Sequence, residues 1–353
     1  MRYKMSKPMS TYIRQSVQDL QAYTPGEQPQ VEGLIKLNTN ENPYPPSPAV
    51  ARALREFAAD SLRLYPDPVC RTLRERIAAV EGCAVEQVFV GNGSDEVLRL
   101  ATRAFTQPGG AVAAFDPTYS LYPVLAAAEE VGYRTVPLPE GFGWIEPPAA
   151  LDASLFFLAN PNAPTGVFYP VETIRAFCRQ FKGVVLVDEA YVAFSGGRDC
   201  LALAKNLPNV LVCRTLSKSF SLAGLRLGYA IGSAELIGAM YKLKDSYNVD
   251  RLAQALALAA LGDVPWMQDN ARRIVATRER VAAELVKRGF RVIPSGANFL
   301  FVEPPAGTAA ADLFADLRIK NILVRYFPGE RTGRYLRVSI GTDAQMDAFL
   351  AAL

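Results

Sequence analysis

The sequence predicts an α/β protein, with a large domain built on a mostly parallel sheet covered on both faces and a smaller α+β domain after it. Three observations predict this. Short, fully apolar runs alternate with helical patterns through the middle of the chain, which is how strands buried on both faces read. The texture changes near Leu252, where long helical patterns take over before strand-like runs return. The length, 353 residues, also exceeds the ~250–300 residues that one hydrophobic core serves. The expected division is an arm over 1–45 that forms part of the small domain, a large domain over 46–255 and a small domain over 256–353.

In chain order, residues 1–50 are rich in Pro, Asn and Tyr and read as an extended arm with turns at Thr24-Pro25-Gly26 and Asn42-Pro43. Helical patterns run from Ser47 to about Asp60 and from Thr72 to Val80, the second stopping at Gly82. Strands are expected at Val88–Val90, Ala111–Phe115, Leu155–Ala159, Val184–Val187, Val210–Cys213 and Leu227–Ile231. Between them, Val97, Leu98, Leu100, Ala101, Ala104 and Phe105 repeat at helical spacing, as do Ile174, Phe177, Cys178 and Phe181. Helices follow at 252–261 and 270–288, the latter closed by Gly289. Strand-like runs at Asn298–Val302, Ile322–Arg325 and Tyr335–Ile340 and helices at 309–317 and 343–353 complete the chain.

Composition narrows the chemistry. Half the residues are hydrophobic, a fifth are charged, and the net charge is +3 with no block of one sign. That balance points to neither nucleic acid nor an anionic membrane. The longest apolar stretch, Leu252–Leu261, falls short of the ~20 residues a bilayer needs. Met1–Ser10 is basic with no apolar run behind it, so no secretory signal is read and a cytoplasmic setting is expected. Five cysteines, Cys70, Cys83, Cys178, Cys200 and Cys213, show no CxxC spacing and read as reduced, structural thiols. There is no histidine. Ser-His-Asp and Cys-His catalysis are therefore excluded, and no metal site is expected. Proton chemistry falls to Lys, Tyr, Asp, Glu, Cys or a cofactor.

The strongest segment is Thr215-Leu216-Ser217-Lys218-Ser219-Phe220, followed by Gly224-Leu225-Arg226-Leu227-Gly228. It follows a strand, and open α/β sheets bind ligands at the carboxyl ends of their strands. A lysine there can form an imine with an aldehyde, while Ser217 and Arg226 can hold phosphate oxygens. Alone, Ser-Lys reads as a surface lysine in a polar loop; two further motifs reverse that reading. Val184–Val187 ends in Asp188, with Tyr191 three residues on. A carboxylate there suits a pyridine nitrogen, although a helix-capping Asp reads equally well in isolation. Gly91-Asn92-Gly93-Ser94-Asp95-Glu96 precedes a helix and can cradle an anion. Glu96 stands where a dinucleotide fingerprint needs glycine, which argues against a nicotinamide oxidoreductase. Asn160–Gly166 and Phe115-Asp116-Pro117-Thr118-Tyr119 also follow strands, and Tyr119 can stack on a ring; alone, each reads as loop punctuation.

Together these segments resemble the fold-type I aminotransferases of class II, and more narrowly the histidinol-phosphate aminotransferase family. Leu37-Asn38-Thr39-Asn40-Glu41-Asn42-Pro43, Tyr65-Pro66, Gly-Ser-Asp-Glu, Pro-Thr-Tyr, Asp-Glu-Ala-Tyr, Thr-Leu-Ser-Lys-Ser-Phe, Gly-Leu-Arg-Leu-Gly-Tyr and Tyr335–Thr342 carry the resemblance along nearly the whole chain. It implies pyridoxal 5'-phosphate as cofactor and a seven-stranded, mostly parallel sheet in the large domain. It further implies Lys218 as the cofactor-bearing lysine and proton shuttle, Asp188 at the pyridine nitrogen, and Tyr191 at the ring oxygen. Gly93, Ser94, Asp95, Ser217 and Arg226 would hold the phosphate, with Tyr119 on the ring. Tyr65 would reach the phosphate of a partner subunit, implying an obligate homodimer. Arg337, with Arg325, Tyr23 and Asn40, would take the substrate's anionic group. One departure stands out: Ala163 occupies the place where the superfamily usually has an Asn donating to the ring oxygen, and Asn162 or Tyr191 alone would have to replace it. The activity implied is transamination between histidinol phosphate and 2-oxoglutarate. The competing readings are an aromatic-amino-acid aminotransferase, a threonine-phosphate decarboxylase-like enzyme, and a non-catalytic binding protein on the same fold.

Overall fold

The computed structural model describes residues 12–353; the basic stretch Met1–Ser10 and the start of the arm lie outside the described residues. Seven strands form the larger sheet: β1 (Val88–Gly91), β2 (Ala111–Asp116), β3 (Gly132–Pro137), β4 (Leu155–Ala159), β5 (Val184–Asp188), β6 (Val210–Thr215) and β7 (Gly228–Ile231). Their spatial order is β1-β7-β6-β5-β4-β2-β3. β7 runs antiparallel to both of its neighbours, and the other pairings are parallel. Strands β1, β4 and β7 are buried at every residue, as their unbroken apolar runs require.

Register gathers the carboxyl ends. Ala159 pairs with Asp188 and Asp188 with Cys213, while Gly91 and Thr215 both lie opposite Gly228. The loops after six strands therefore open on one edge of the sheet, joined there by the entry to β7. Gly228 permits this crowding: a Cβ on it would lie 2.4 Å from the Ser94 amide nitrogen.

The second sheet comprises β8 (Arg291–Ile293), β9 (Phe299–Glu303), β10 (Arg325–Tyr326) and β11 (Leu336–Ser339), antiparallel throughout, in the order β10-β11-β9-β8. The run expected as one strand over Ile322–Arg325 is divided. Ile322–Leu323 pairs in parallel with Ile35–Lys36 of the arm, whereas Arg325–Tyr326 joins the second sheet. A single apolar segment thus serves two sheets and ties the arm to the second one.

Helix boundaries follow local signals. Ser47 caps Pro48–Glu56 by accepting from the Ala49 amide, and Arg71–Glu81 stops at Gly82 in the left-handed region, φ 62°. The helix expected from 270 starts earlier, at Val264, because Pro265 sits in its first turn. β3 was not legible as a run: it lies at the sheet edge, and only Val136 among its residues is buried.

Candidate active site

A cavity of about 610 Å³ opens at the gathered strand ends, walled also by the arm and by residues 325–337. Lys218 lies in the loop after β6. Its Nζ donates to the Thr39 carbonyl at 3.0 Å. The arm segment Asn38–Asn42 bends around this lysine, and its side-chain amides tie it to three different neighbours. Asn42 donates to the Lys218 and Ser219 carbonyls at 3.0 and 3.2 Å, and Asn38 donates to the Glu27 carbonyl at 2.9 Å. Asn40, at φ 55°, donates its amide N–H to Ser339 Oγ at 2.8 Å and its side chain to the Tyr191 hydroxyl at 3.0 Å. Burial, helped by the positive charge of Arg337, pushes the Lys218 amine down from 10.5 to about 8.

Asp188 closes β5 and is buried. One carboxylate oxygen accepts from the Tyr122 hydroxyl at 2.9 Å, and the other accepts from the Ala190 amide at 3.1 Å. Burial raises its pKa from 3.8 to about 6, against the opposing pull of those two hydrogen bonds. The Tyr191 oxygen accepts from Asn40, so its own proton remains available on the cavity wall.

Two anion-binding ends flank this centre. At one, Ser94 and Asp95 form the first turn of the helix Gly93–Phe105, whose leading amides are free to cradle an anion. Ser217 lines the wall beside them, and Arg226 adopts φ 56° with Nη2 3.3 Å from Asp95. At the other, Arg337 donates Nη2 to the Asn38 carbonyl at 2.9 Å and lies over Phe299 and Phe327. Its Nε is buried with no hydrogen-bond partner. Arg325 stands beside it, anchored on the Thr24 and Pro25 carbonyls at 3.1 and 3.3 Å. Burial, and then the charge of Arg325, holds Arg337 below the usual guanidinium range. Between the two ends, Tyr119 packs edge-on against Tyr23, with centroids 6.0 Å apart.

Comparison with known proteins decides the family. Residues 32–353 match the model of aminotransferase class I and II. The chain is 48% identical to a histidinol-phosphate aminotransferase of Chromohalobacter salexigens, over 98% of this chain and 99% of the relative. It is 42% identical to one from Clostridium botulinum, over 97% of each. The chain belongs to the class I and II aminotransferases, on their histidinol-phosphate branch. Among solved structures, a Sinorhizobium meliloti histidinol-phosphate aminotransferase in complex with pyridoxal-5'-phosphate superposes with TM-score 0.86 at 26% identity, covering 98% of this chain and 97% of that one. A tetra mutant of Thermus thermophilus aspartate aminotransferase, 21% identical with TM-score 0.80 over 97% of this chain and 99% of its own, shares the fold.

For an aminotransferase site, three expected members stand apart from the cavity wall. Asn162 is buried with its amide committed to the Pro117 carbonyl and Thr165, both at 3.0 Å, while its oxygen accepts from Thr118 at 2.7 Å. It braces the loop and leaves the wall to Ala163; of the two residues the sequence offered at that oxygen, Tyr191 lines the cavity and Asn162 does not. Gly93, at φ 79°, lies beneath the Arg226 guanidinium, which a Cβ would meet at 2.7 Å. Tyr65 is 76% exposed and stacks on Tyr247 at 4.4 Å, outside this chain's own cavity. Sequence reasoning missed Thr39, Asn42 and Tyr122. The run of Asn38, Asn40 and Asn42 was the available signal for the first two, since Asn side chains readily hydrogen-bond backbone in bent segments.

Proposed function

We propose that this chain transfers the amino group between histidinol phosphate and 2-oxoglutarate, giving imidazole-acetol phosphate and glutamate, in the histidine biosynthesis that its relatives' names denote. The observation that carries the reading is a half-buried lysine amine pushed down to about 8, on the same cavity wall as a buried carboxylate and a guanidinium with an unpartnered Nε.

The residues present fit pyridoxal 5'-phosphate. The helix start at Ser94 and Asp95, with Ser217 and Arg226, matches a phosphate in charge and donor chemistry. Asp188 keeps acceptor capacity beyond its two hydrogen bonds for a ring N–H. When bound, the cofactor supplies an electron sink. Lys218 Nζ then takes and returns a proton, a role that suits an amine lowered to about 8. Tyr191, oriented by Asn40, donates to the ring oxygen in place of the group Ala163 lacks. Tyr119 covers the ring face.

Arg337 and Arg325, with Tyr23, bind the carboxylate of glutamate in one half-reaction and the phosphate of histidinol phosphate in the other. Planar guanidinium groups accept either anion. The exposed Tyr65–Tyr247 pair, flanked by exposed Leu62 and Leu64, supports a homodimer in which Tyr65 reaches the partner's cofactor phosphate. The five free thiols support a cytoplasmic setting. The parts of the chain around each sheet support the division into 46–255 and 256–353 with an arm before them.

The test compares histidinol phosphate, phenylalanine and threonine phosphate, each with 2-oxoglutarate. Preferred turnover of histidinol phosphate is expected. Preference for phenylalanine, or release of carbon dioxide from threonine phosphate, would replace the reading. Borohydride reduction of the cofactor-loaded protein is expected to tag the peptide that contains Lys218.

A further inference from the structure

We infer that Tyr122 is a positioning residue for the cofactor site: its hydroxyl, donating to Asp188 inside the sheet-helix core, holds that carboxylate as an anion facing the ring nitrogen. The inference rests on the proposed cofactor reading and deepens it.

The geometry is closed on the Tyr122 side. Tyr122 is fully buried, and its hydroxyl lies 2.9 Å from Asp188 Oδ2. Its ring stacks on Phe157 with centroids 4.7 Å apart and planes at 25°. The same ring meets Tyr119 edge-on at 5.5 Å and 84°. Tyr122 therefore touches both side chains assigned to the ring, Asp188 at the nitrogen and Tyr119 on the face. It sits in the first turn of the short helix Tyr122–Ala128, three residues after Tyr119, so one turn of chain sets both contacts.

A chemical consequence follows. Buried carboxylates tend to take up a proton. A phenol at its ordinary pKa of ~10 gives a hydrogen bond at neutral pH without giving up its proton, and burial beside Asp188 raises the Tyr122 phenol further. Such a donor favours the carboxylate form and cannot itself neutralise it. In a chain without histidine, a phenol provides a donor whose protonation does not change across physiological pH.

The experiment uses holoenzyme reconstituted with pyridoxal phosphate labelled with 15N in the ring, comparing wild type, Tyr122→Phe and Phe157→Leu. Wild type is expected to give a protonated-nitrogen shift at neutral pH. Tyr122→Phe removes one oxygen. Without that donor the carboxylate is the stronger base, so at fixed neutral pH the ring 15N shift should move toward the neutral-pyridine value, and kcat should fall about tenfold with little change in KM for glutamate. Phe157→Leu loosens the same packing and should lower the melting temperature without moving the 15N shift. An unchanged shift in Tyr122→Phe, or an equal change in Phe157→Leu, overturns the inference. In wild-type holoenzyme, the Tyr122 hydroxyl proton should also be far downfield and slow to exchange; free exchange with solvent would overturn it without any variant. Failure of the wild type to bind the labelled cofactor would instead sink the proposed function.

Discussion

Asp188 and Glu189 are adjacent in the chain, both buried, and lie in two differently built clusters. Glu189 belongs to a closed one. Its Oε2 accepts from Arg214 Nε and Nη2 at 2.9 and 2.8 Å, and its Oε1 accepts from the Cys200 amide at 2.5 Å. Arg214 also meets Glu81 at 2.6 Å and Asp199 at 3.1 Å, and Tyr229 donates to Glu81 at 2.5 Å. The guanidinium is held firmly cationic by the carboxylates around it. Asp188, Lys218 and Arg337 form the open counterpart. Each has partners, yet each borders the cavity, and Arg337 keeps a buried Nε unmatched. Buried charge costs heavily unless it is paired. A cluster that pairs itself serves the fold, and the proposed function gives the incomplete one a ligand to complete it.

Substitutions on the two sides should diverge. The largest effect belongs to Lys218→Ala, which is expected to lower turnover by at least about 10⁴-fold, the upper range for a lost acid–base group. Its melting temperature without cofactor should be equal or higher, because a desolvated amine has been removed. A destabilised but active variant would erase the distinction. Arg214→Met should do the reverse. Leaving buried carboxylates unpaired costs about 3–5 kcal/mol of unfolding free energy, read by urea melts, while cofactor affinity per folded molecule stays near wild type. Arg337→Ala comes next: removing one side of a buried anion contact costs about 2–5 kcal/mol. The loss should appear in kcat/KM for both glutamate and histidinol phosphate; a loss confined to one substrate would split the shared anion site in two.

How much of this was legible follows from the range of the interactions. The apolar runs for β1, β2 and β4 to β7 mark strands to within about two residues, since burial on both faces leaves a local trace. β3 leaves none, because an edge strand with Tyr133, Arg134 and Thr135 not fully buried has no unbroken apolar run. Lys218, Asp188, Ser94 and Arg226 were readable because each follows or precedes a strand at the ligand edge. Tyr122 was not, because its partner lies 66 positions away and only the register of β2, β4 and β5 brings them together. The same holds for Asn42, whose partners Lys218 and Ser219 lie 176 and 177 positions on. Motif logic finds groups that point at a ligand and misses those that hold them.

The smallest expected effect tests whether the open cluster is strained in the absence of its ligand. In cofactor-free protein, Lys218 has a folded pKa of about 8 against 10.5 for the ordinary amine. Below about 8 the amine is charged in both states, and the full penalty of burying that charge weighs on the fold. Between about 8 and 10.5 the folded chain holds fewer protons than the unfolded one, so stability rises with pH. Above that window both amines are neutral and the penalty is gone. Lys218→Met lacks the titration. The variant should therefore melt higher than wild type at pH 7, and the gap should narrow as pH climbs through the window, measured by calorimetry on the two cofactor-free proteins. The second-order rate of pyridoxal phosphate capture by wild type should rise across the lower part of the same range with a midpoint near 8, since only the neutral amine attacks an aldehyde. A melting gap independent of pH would mean that the amine is already neutralised by a partner, which would move Lys218 from the open cluster to the closed kind.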